Sequence, residues 1–329
     1  MPLDLVPLFF LLATLVVLAK ASQSAIKYAT KIAQLAGISE MAVGFLLVAV
    51  STSLPELFVS ATSALAGVGE LAVGNVIGAN ISNCALVLGA AAVAGSVSYS
   101  KREAKELGLI LLAVAALTIL LVFTGIGAVS GALLLACFAG YAYWALSFRR
   151  EPPQTATTQG RKKASQAFRT IGPPTAEFFK PLLFFGISVA VIVACSQFAV
   201  ATAVSFAKAS GITLALVGAT IVSIGTTLPE LSVSLVAARA GKNGLAIGNA
   251  VGSCATNITL IMGTAGVLGA KTISLQPQAT IIGFSLATYL LLAAFFVFGK
   301  RLSQAKGVAL LCFYGLFLFW QSGLAGLPR

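Results

Sequence analysis

Two glutamates in this chain stand where a carboxylate is costly. Each closes a near-identical hexapeptide, Ser51-Thr52-Ser53-Leu54-Pro55-Glu56 and Gly225-Thr226-Thr227-Leu228-Pro229-Glu230. The other seven acids, Asp4, Glu40, Glu70, Glu103, Glu106, Glu151 and Glu177, lie at the ends of apolar segments or between them. An ionised carboxylate deep in an apolar segment costs at least about 2.5 to 3.5 kcal/mol. Away from their ends, the two segments hold no Lys, Arg or His to offset that cost. A bound cation or proton is the natural partner. Proline lacks an amide hydrogen and its ring clashes with the carbonyl four residues back, so Pro55 is expected to free the carbonyl of Ser51 and Pro229 that of Gly225. Ala49, Thr52, Ser53 and Glu56 follow helical spacing and share one face, and Ser223, Thr226, Thr227 and Glu230 repeat the pattern. That face carries oxygen ligands.

A companion pair follows each hexapeptide: Gly74-Asn75-Val76-Ile77-Gly78-Ala79-Asn80-Ile81-Ser82-Asn83 and Gly248-Asn249-Ala250-Val251-Gly252-Ser253-Cys254-Ala255-Thr256-Asn257. The small residues at i, i+4 spacing permit close helix packing. Asn83 and Asn257 are the candidate ligands here, because an asparagine amide without a partner is costly in an apolar setting. Two carboxylates with carbonyl, hydroxyl and amide oxygens make a hard, all-oxygen cage. Calcium accepts 6 to 8 such ligands in flexible geometry, whereas magnesium demands a near-ideal octahedron and holds its waters. Two glutamates also neutralise one divalent ion, and the same pair can take monovalent ions or protons instead. Competition between those occupants is a sufficient basis for antiport.

Something must hold such a site inside an apolar medium, and the composition says what. Of 329 residues, 58% are hydrophobic and only 9% charged, and mean hydropathy is +0.99; that balance belongs to a bilayer protein. A hydrocarbon core about 30 Å thick needs roughly 20 apolar residues per helix. Ten segments qualify: 5–36, 39–66, 69–95, 107–125, 127–148, 179–210, 212–240, 244–270, 280–299 and 308–325. Ala19-Lys20-Ala21 looks like a leader cleavage site, yet no basic residue precedes the first apolar run, so 5–36 reads as a span. The net charge of +12 is confined to short gaps and reads as a topology signal. With the N-terminus outside, the inner loops and flanks collect 18 Lys and Arg, and the outer side keeps Lys208, Lys271 and Arg329. Both termini are then expected outside. The stretch 149–178, rich in Pro, Thr, Gln and basic residues, is expected to be a cytoplasmic linker. Cys84, Cys137, Cys195, Cys254 and Cys312 fall within apolar segments without a Cys-x-x-Cys pair and read as small buried side chains.

The chain also repeats itself. Gly44 to Gly89 lies over Gly218 to Gly263 at a constant offset of 174, without a gap and with 20 identities in 46 positions. Ser22-Gln23 and Gly37-Ile38 find counterparts in Ser196-Gln197 and Gly211-Ile212. Five spans separate equivalent positions, an odd number, so the second copy enters the membrane from the opposite side. The expected fold is an all-α polytopic membrane protein of ten transmembrane helices, arranged as two inverted five-helix repeats. The first repeat covers 1–148 and the second 179–329. Inverted repeats place similar half-sites near the bilayer midplane and permit packings open to either face.

The paired Thr-x-Leu-Pro-Glu and Gly-Asn-x-x-Gly motifs, in that repeat, resemble the calcium/cation antiporter superfamily, and specifically its sodium/calcium exchanger branch with short prokaryotic members. The resemblance implies a central calcium site at Glu56 and Glu230 with the backbone around Thr52 and Thr226. It implies flanking sodium sites at Ala49, Ser53, Ser223, Thr227 and Ser253, with the amides of Asn83 and Asn257. It also implies that the long helices 5–36 and 179–210 slide across the core to exchange access. Three positions depart from the family pattern: Asn257 where some relatives carry Asp, Ala79 in place of a frequent serine, and Ser51 in place of the usual glycine. They leave the sodium stoichiometry open.

An intramembrane enzyme is a poor fit, because the chain has no histidine and its sole aspartate is Asp4, so neither a Ser-His pair nor an aspartyl dyad can assemble. A passive channel would use polar rings too, but channels are usually symmetric oligomers. The expected function is exchange of Ca2+ for Na+, with a proton-coupled Ca2+ exchanger using the same glutamates as the alternative. The expected partners are the transported ions and the lipid bilayer. No resident cofactor, no nucleic acid and a monomeric working unit complete the expectation.

Overall fold

A computed structural model describes residues 6–35, 50, 52–148 and 176–322. Ala49, Ser51 and most of the 149–178 linker lie outside these described residues. The described chain is predominantly helical. In order it forms α1 (Val6–Leu35), α2 (Leu54–Leu65), α3 (Gly69–Gly95), α4 (Lys101–Thr124), α5 (Ala128–Phe148), α6 (Ala176–Ser210), α7 (Leu214–Thr226), α8 (Leu228–Arg239), α9 (Asn243–Leu268), α10 (Ala279–Val297) and α11 (Gln304–Gln321). Six helices among the described residues are long and apolar enough to cross a membrane, or up to seven when α7 and α8, bent by 45° at their junction, count as one span.

The break between α7 and α8 has the local cause expected of it. Pro229 occupies the first turn of α8 and Pro55 the first turn of α2, the helix position where a missing N–H leaves nothing unsatisfied. Both α2 and α8 then end in a turn through a glycine with positive φ, Gly67 at +73° and Gly241 at +71°. A side chain there would be strained, and the two glycines are repeat counterparts at the 174 offset.

Solvation in lipid inverts the usual burial pattern, so the enclosed helices mark the centre. Along their apolar windows α3 is 83% and α9 78% buried, against 28–44% for α1, α4, α6 and Gln276–Val297. Those two central helices carry the Gly-Asn motifs. Each contains one π-helical turn, Ser82–Val87 in α3 and Asn257–Ile261 in α9, and α7 has a third at Gly218–Val222. A π turn inserts one residue into the helical ladder and often marks a functional site.

Small residues let backbones meet in the core. A Cβ on Gly218 would fall 2.6 Å from the Leu71 carbonyl oxygen and 2.8 Å from the Asn75 nitrogen, and one on Gly74 or Gly78 would collide with the backbone of Ala215 or Ala219. Helices α3 and α7 therefore cross at backbone contact. Outside this core α1 and α6 run antiparallel against each other, with Tyr28 stacked on Phe184 at 5.0 Å, Phe10 edge-on to Phe198 at 6.2 Å, and Ser188 donating to Ser24 at 2.8 Å. At one end a two-residue antiparallel pairing of β1 (Val97–Ser98) with β2 (Arg301–Leu302) ties the α3–α4 connection to the α10–α11 connection. A capping box at Ser100 and Glu103 starts α4 beside it.

The cysteines depart in part from the sequence expectation. Cys84 and Cys254 are buried, but Cys137 and Cys312 are exposed and Cys195 is intermediate. A thiol is apolar enough to face lipid, so position within an apolar run does not decide which side of the helix it takes.

Candidate functional site

The first turns of α2 and α8 present Glu56 and Glu230 to the centre of the protein, and the residues just before each proline supply hydroxyls. Thr52, Ser53, Glu56, Asn83, Ser223, Thr226, Thr227, Glu230, Ser253 and Asn257 are each at most 1% exposed. Ala49 lies outside the described residues.

The two halves exchange hydrogen-bond donors. Ser53 donates to Oε1 of Glu230 at 3.1 Å, and Ser253 of α9 reaches the same oxygen at 3.4 Å. Thr227 lies 3.4 Å from Oε1 of Glu56. Its hydroxyl proton also points to the Ser223 carbonyl at 2.6 Å, and one proton favours the shorter contact. A second reciprocal pair sits beside the first: Thr52 donates to Oδ1 of Asn249 at 3.3 Å, and Thr226 to Oδ1 of Asn75 at 3.1 Å. The amide nitrogens of those asparagines turn back to their own half. Asn75 donates to the Glu56 carbonyl at 3.5 Å and to Ser60 at 3.1 Å; Asn249 donates to the Glu230 carbonyl at 3.2 Å and to Ser234 at 3.0 Å.

Of the candidate ligands, the structure thus joins Thr52, Ser53, Glu230 and Ser253 in one network around Glu230, and Glu56, Thr226 and Thr227 in a second around Glu56. Asn257 bonds apart from both, donating to Oδ1 of Asn80 at 2.9 Å. Ser223 contributes through its carbonyl, while its hydroxyl is committed to the Ala219 carbonyl at 2.7 Å. Asn83 is buried with no hydrogen-bond partner at either amide atom.

What the networks leave unmade is as informative as what they make. Oε2 of Glu56, Oε2 of Glu230, Oδ1 of Asn83 and Oδ1 of Asn257 are buried side-chain oxygens without a partner. Leaving such groups unsatisfied costs about 1 to 3 kcal/mol each, and more when charged. No Lys or Arg pairs with either glutamate among the described residues. Among those residues there is also no cluster of three or more His, Cys, Asp or Glu side chains, so a metal held here would meet two carboxylates and otherwise neutral oxygens. That donor set suits a hard cation that tolerates varied ligand numbers.

Sequence reasoning missed six residues of this arrangement as participants: Ser60, Asn75, Asn80, Ser234, Asn249 and Tyr289. Asn75 and Asn249 were visible as identical positions in the repeat, and their burial between glycines was the available signal. Tyr289 carries no local signal, because its partner is 209 positions away.

Comparison with known proteins places these features in context. The sodium/calcium exchanger protein family matches residues 6–147 and 180–323. The chain is 29% identical to the sodium/calcium exchanger MaX1 of Methanosarcina acetivorans, covering 94% of this chain and 96% of that one. It is also 29% identical to the uncharacterized membrane protein MJ0091 of Methanocaldococcus jannaschii, over 86% of this chain and 87% of the relative. A solved structure of the sodium-calcium exchanger NCX_Mj, soaked with Na+ and Ca2+, superimposes with a TM-score of 0.65 at 23% identity, covering 98% of this chain and 99% of that one.

Proposed function

Because the chain belongs to the sodium/calcium exchanger family, a family of membrane cation antiporters, we propose that it exchanges Ca2+ for Na+ by alternating access through a central site made by Glu56 and Glu230. The observation that carries this reading is the pair of buried, unpartnered carboxylate oxygens, one from each half. Two carboxylates balance one Ca2+, or the monovalent ions that replace it. Thr52 and Thr226 flank this central site. Ser53, Ser223, Thr227 and Ser253, with the amide oxygens of Asn83 and Asn257, surround it as the positions for sodium, and Ala49 completes that set.

The architecture that goes with this function is ten spans in two inverted repeats, 1–148 and 179–329, joined by the cytoplasmic linker 149–178, with both termini outside. The reciprocal bonds of Thr52 with Asn249 and Thr226 with Asn75 support it, since a pseudo-two-fold relation turns each into the other. A monomer in the bilayer suffices, because one chain holds both half-sites. The α1–α6 pair, packed together on one side of the core, is the element that moves.

Radiolabelled calcium uptake into proteoliposomes tests the reading. An outward sodium gradient should drive uptake, and a proton gradient alone should not. Uptake driven only by protons would replace sodium with a proton as counter-ion, and uptake indifferent to both gradients would remove the exchange reading.

A further inference from the structure

The two asparagines that end the Gly-Asn motifs are counterparts, yet their surroundings differ. Asn257 is held and Asn83 is not. The reason lies one helical turn earlier, where the first half has Asn80 and its counterpart at the 174 offset is Cys254.

A chain of hydrogen bonds whose direction one backbone carbonyl fixes runs through Asn80. Its amide nitrogen lies 3.3 Å from the backbone carbonyl of Cys254 and 2.7 Å from the hydroxyl of Tyr289 on α10. A backbone carbonyl only accepts, so the edge of Asn80 that faces it must be the NH2 group. The amide oxygen of Asn80 then has to point the other way, where it meets the side chain of Asn257 at 2.9 Å. An oxygen can only accept there, so Asn257 must offer its own NH2. That leaves Oδ1 of Asn257 turned away from Asn80, buried and unpartnered. Asn257 follows Ser253 by one helical turn on α9, and Ser253 reaches Oε1 of Glu230 at 3.4 Å, so both project from the same helix face. The alternative amide orientation would set the Asn80 oxygen against the Cys254 oxygen, two acceptors with no proton between them.

We infer that Asn80 and Tyr289 are positioning residues for ion exchange: acting through Asn257, they fix its amide so that oxygen, not nitrogen, faces the transported cation. The inference rests on the reading of Asn257 as an ion ligand. An unrestrained asparagine presents either end of its amide, and the NH2 end repels a cation. Partners that orient a metal ligand typically contribute 10- to 100-fold in affinity. Asn83 has no such partner because Cys254 stands where its orienting amide would be. The two neutral amides are therefore unequal, with Asn257 the preset ligand.

The test is a double-mutant cycle on calcium self-exchange in proteoliposomes, titrated with calcium and with competing sodium. Asn257→Ala, Asn80→Ala and Tyr289→Phe are each combined, and Tyr289→Phe keeps the ring so that packing is preserved. The expected result is a roughly 10- to 100-fold rise in the half-saturating concentration of calcium or sodium for Asn257→Ala and Asn80→Ala. A smaller rise is expected for Tyr289→Phe. Neither Asn80→Ala nor Tyr289→Phe should add to the effect once Asn257 is alanine. If Asn257→Ala weakens ion binding while the other two leave it at the parent value, or add fully to it, the positioning role is overturned and the ligand reading stands. If Asn257→Ala leaves both titrations unchanged, the ligand reading itself fails and the positioning role with it.

Discussion

The sulfur atoms of Cys84 and Cys254 lie 3.5 Å apart, joining central helix α3 of the first half to central helix α9 of the second. Both thiols are buried. A disulfide needs the sulfurs at about 2.05 Å, so bridging requires this pair to approach further. Treatment with diamide, a membrane-permeant oxidant that takes up the two electrons and two protons, is expected to bridge Cys84 and Cys254. Peptide mass spectrometry should find that bridge and none among Cys137, Cys195 and Cys312. Free thiols at both positions after treatment would show that the pair is closed to the oxidant or held short of bonding distance.

Replacing Glu56 or Glu230 by glutamine keeps the shape of each side chain and removes its charge. Each variant is expected to abolish calcium uptake while the protein still elutes as a folded species in detergent. Near-normal flux in either variant would rule out a site built on two carboxylates.

The crossing of α3 and α7 should tolerate no added methyl. Gly218→Ala places a Cβ 2.6 Å from the Leu71 carbonyl oxygen, a backbone atom that cannot swing aside. Overpacking of this kind costs typically about 1 to 3 kcal/mol. A thermal melt in detergent should show the loss. A control substitution at Gly186, where a Cβ meets nothing within 4 Å, should leave the melt unchanged.

Asn257→Asp changes the formal charge of the empty cage from −2 to −3. Like charges at close range disfavour joint ionisation, so the variant should take up a proton or recruit an additional monovalent ion. The expected outcome is a calcium flux that depends more steeply on pH or on monovalent ions than in the parent, from a protein that still purifies intact. Unchanged dependence on pH, sodium and potassium would show that residue 257 faces away from the ions.

The asymmetry of basic residues predicts the side of the linker. A cysteine placed at Thr157 in a cysteine-free background should react with a membrane-impermeant maleimide in inside-out vesicles and stay protected in right-side-out cells. The opposite pattern would reverse the orientation of both repeats.

Much of this was legible because the bilayer restricts what a sequence can mean. Glu56 and Glu230 announced themselves as acids without a neutralising neighbour, and Pro229 located the bend at the start of α8 correctly, since both arguments use covalent structure and local solvation. The hydroxyls of Thr52, Ser53, Thr226 and Thr227 followed from helical spacing. What spacing could not give was direction across the repeat: Ser53 serves Glu230 and not its neighbour Glu56, a relation that depends on how α2 meets α8. The π turns escaped for a different reason. They shift backbone hydrogen bonds by one residue and leave no mark in composition. Asn80 and Tyr289 escaped because each is ordinary alone and acquires its role from the other.

The exchange of donors between halves has a consequence for how such a chain can change over time. After a gene duplicates, its copies are usually free to drift apart. Here a hydroxyl in the first copy solvates an acid of the second, and Thr226 of the second completes Asn75 of the first. Each copy is part of the other's environment, so a substitution in one is judged by a side chain encoded half a gene away. Divergence at these positions has to be coordinated or absent, and loss of either copy would leave the survivor with acids and amides it cannot satisfy alone.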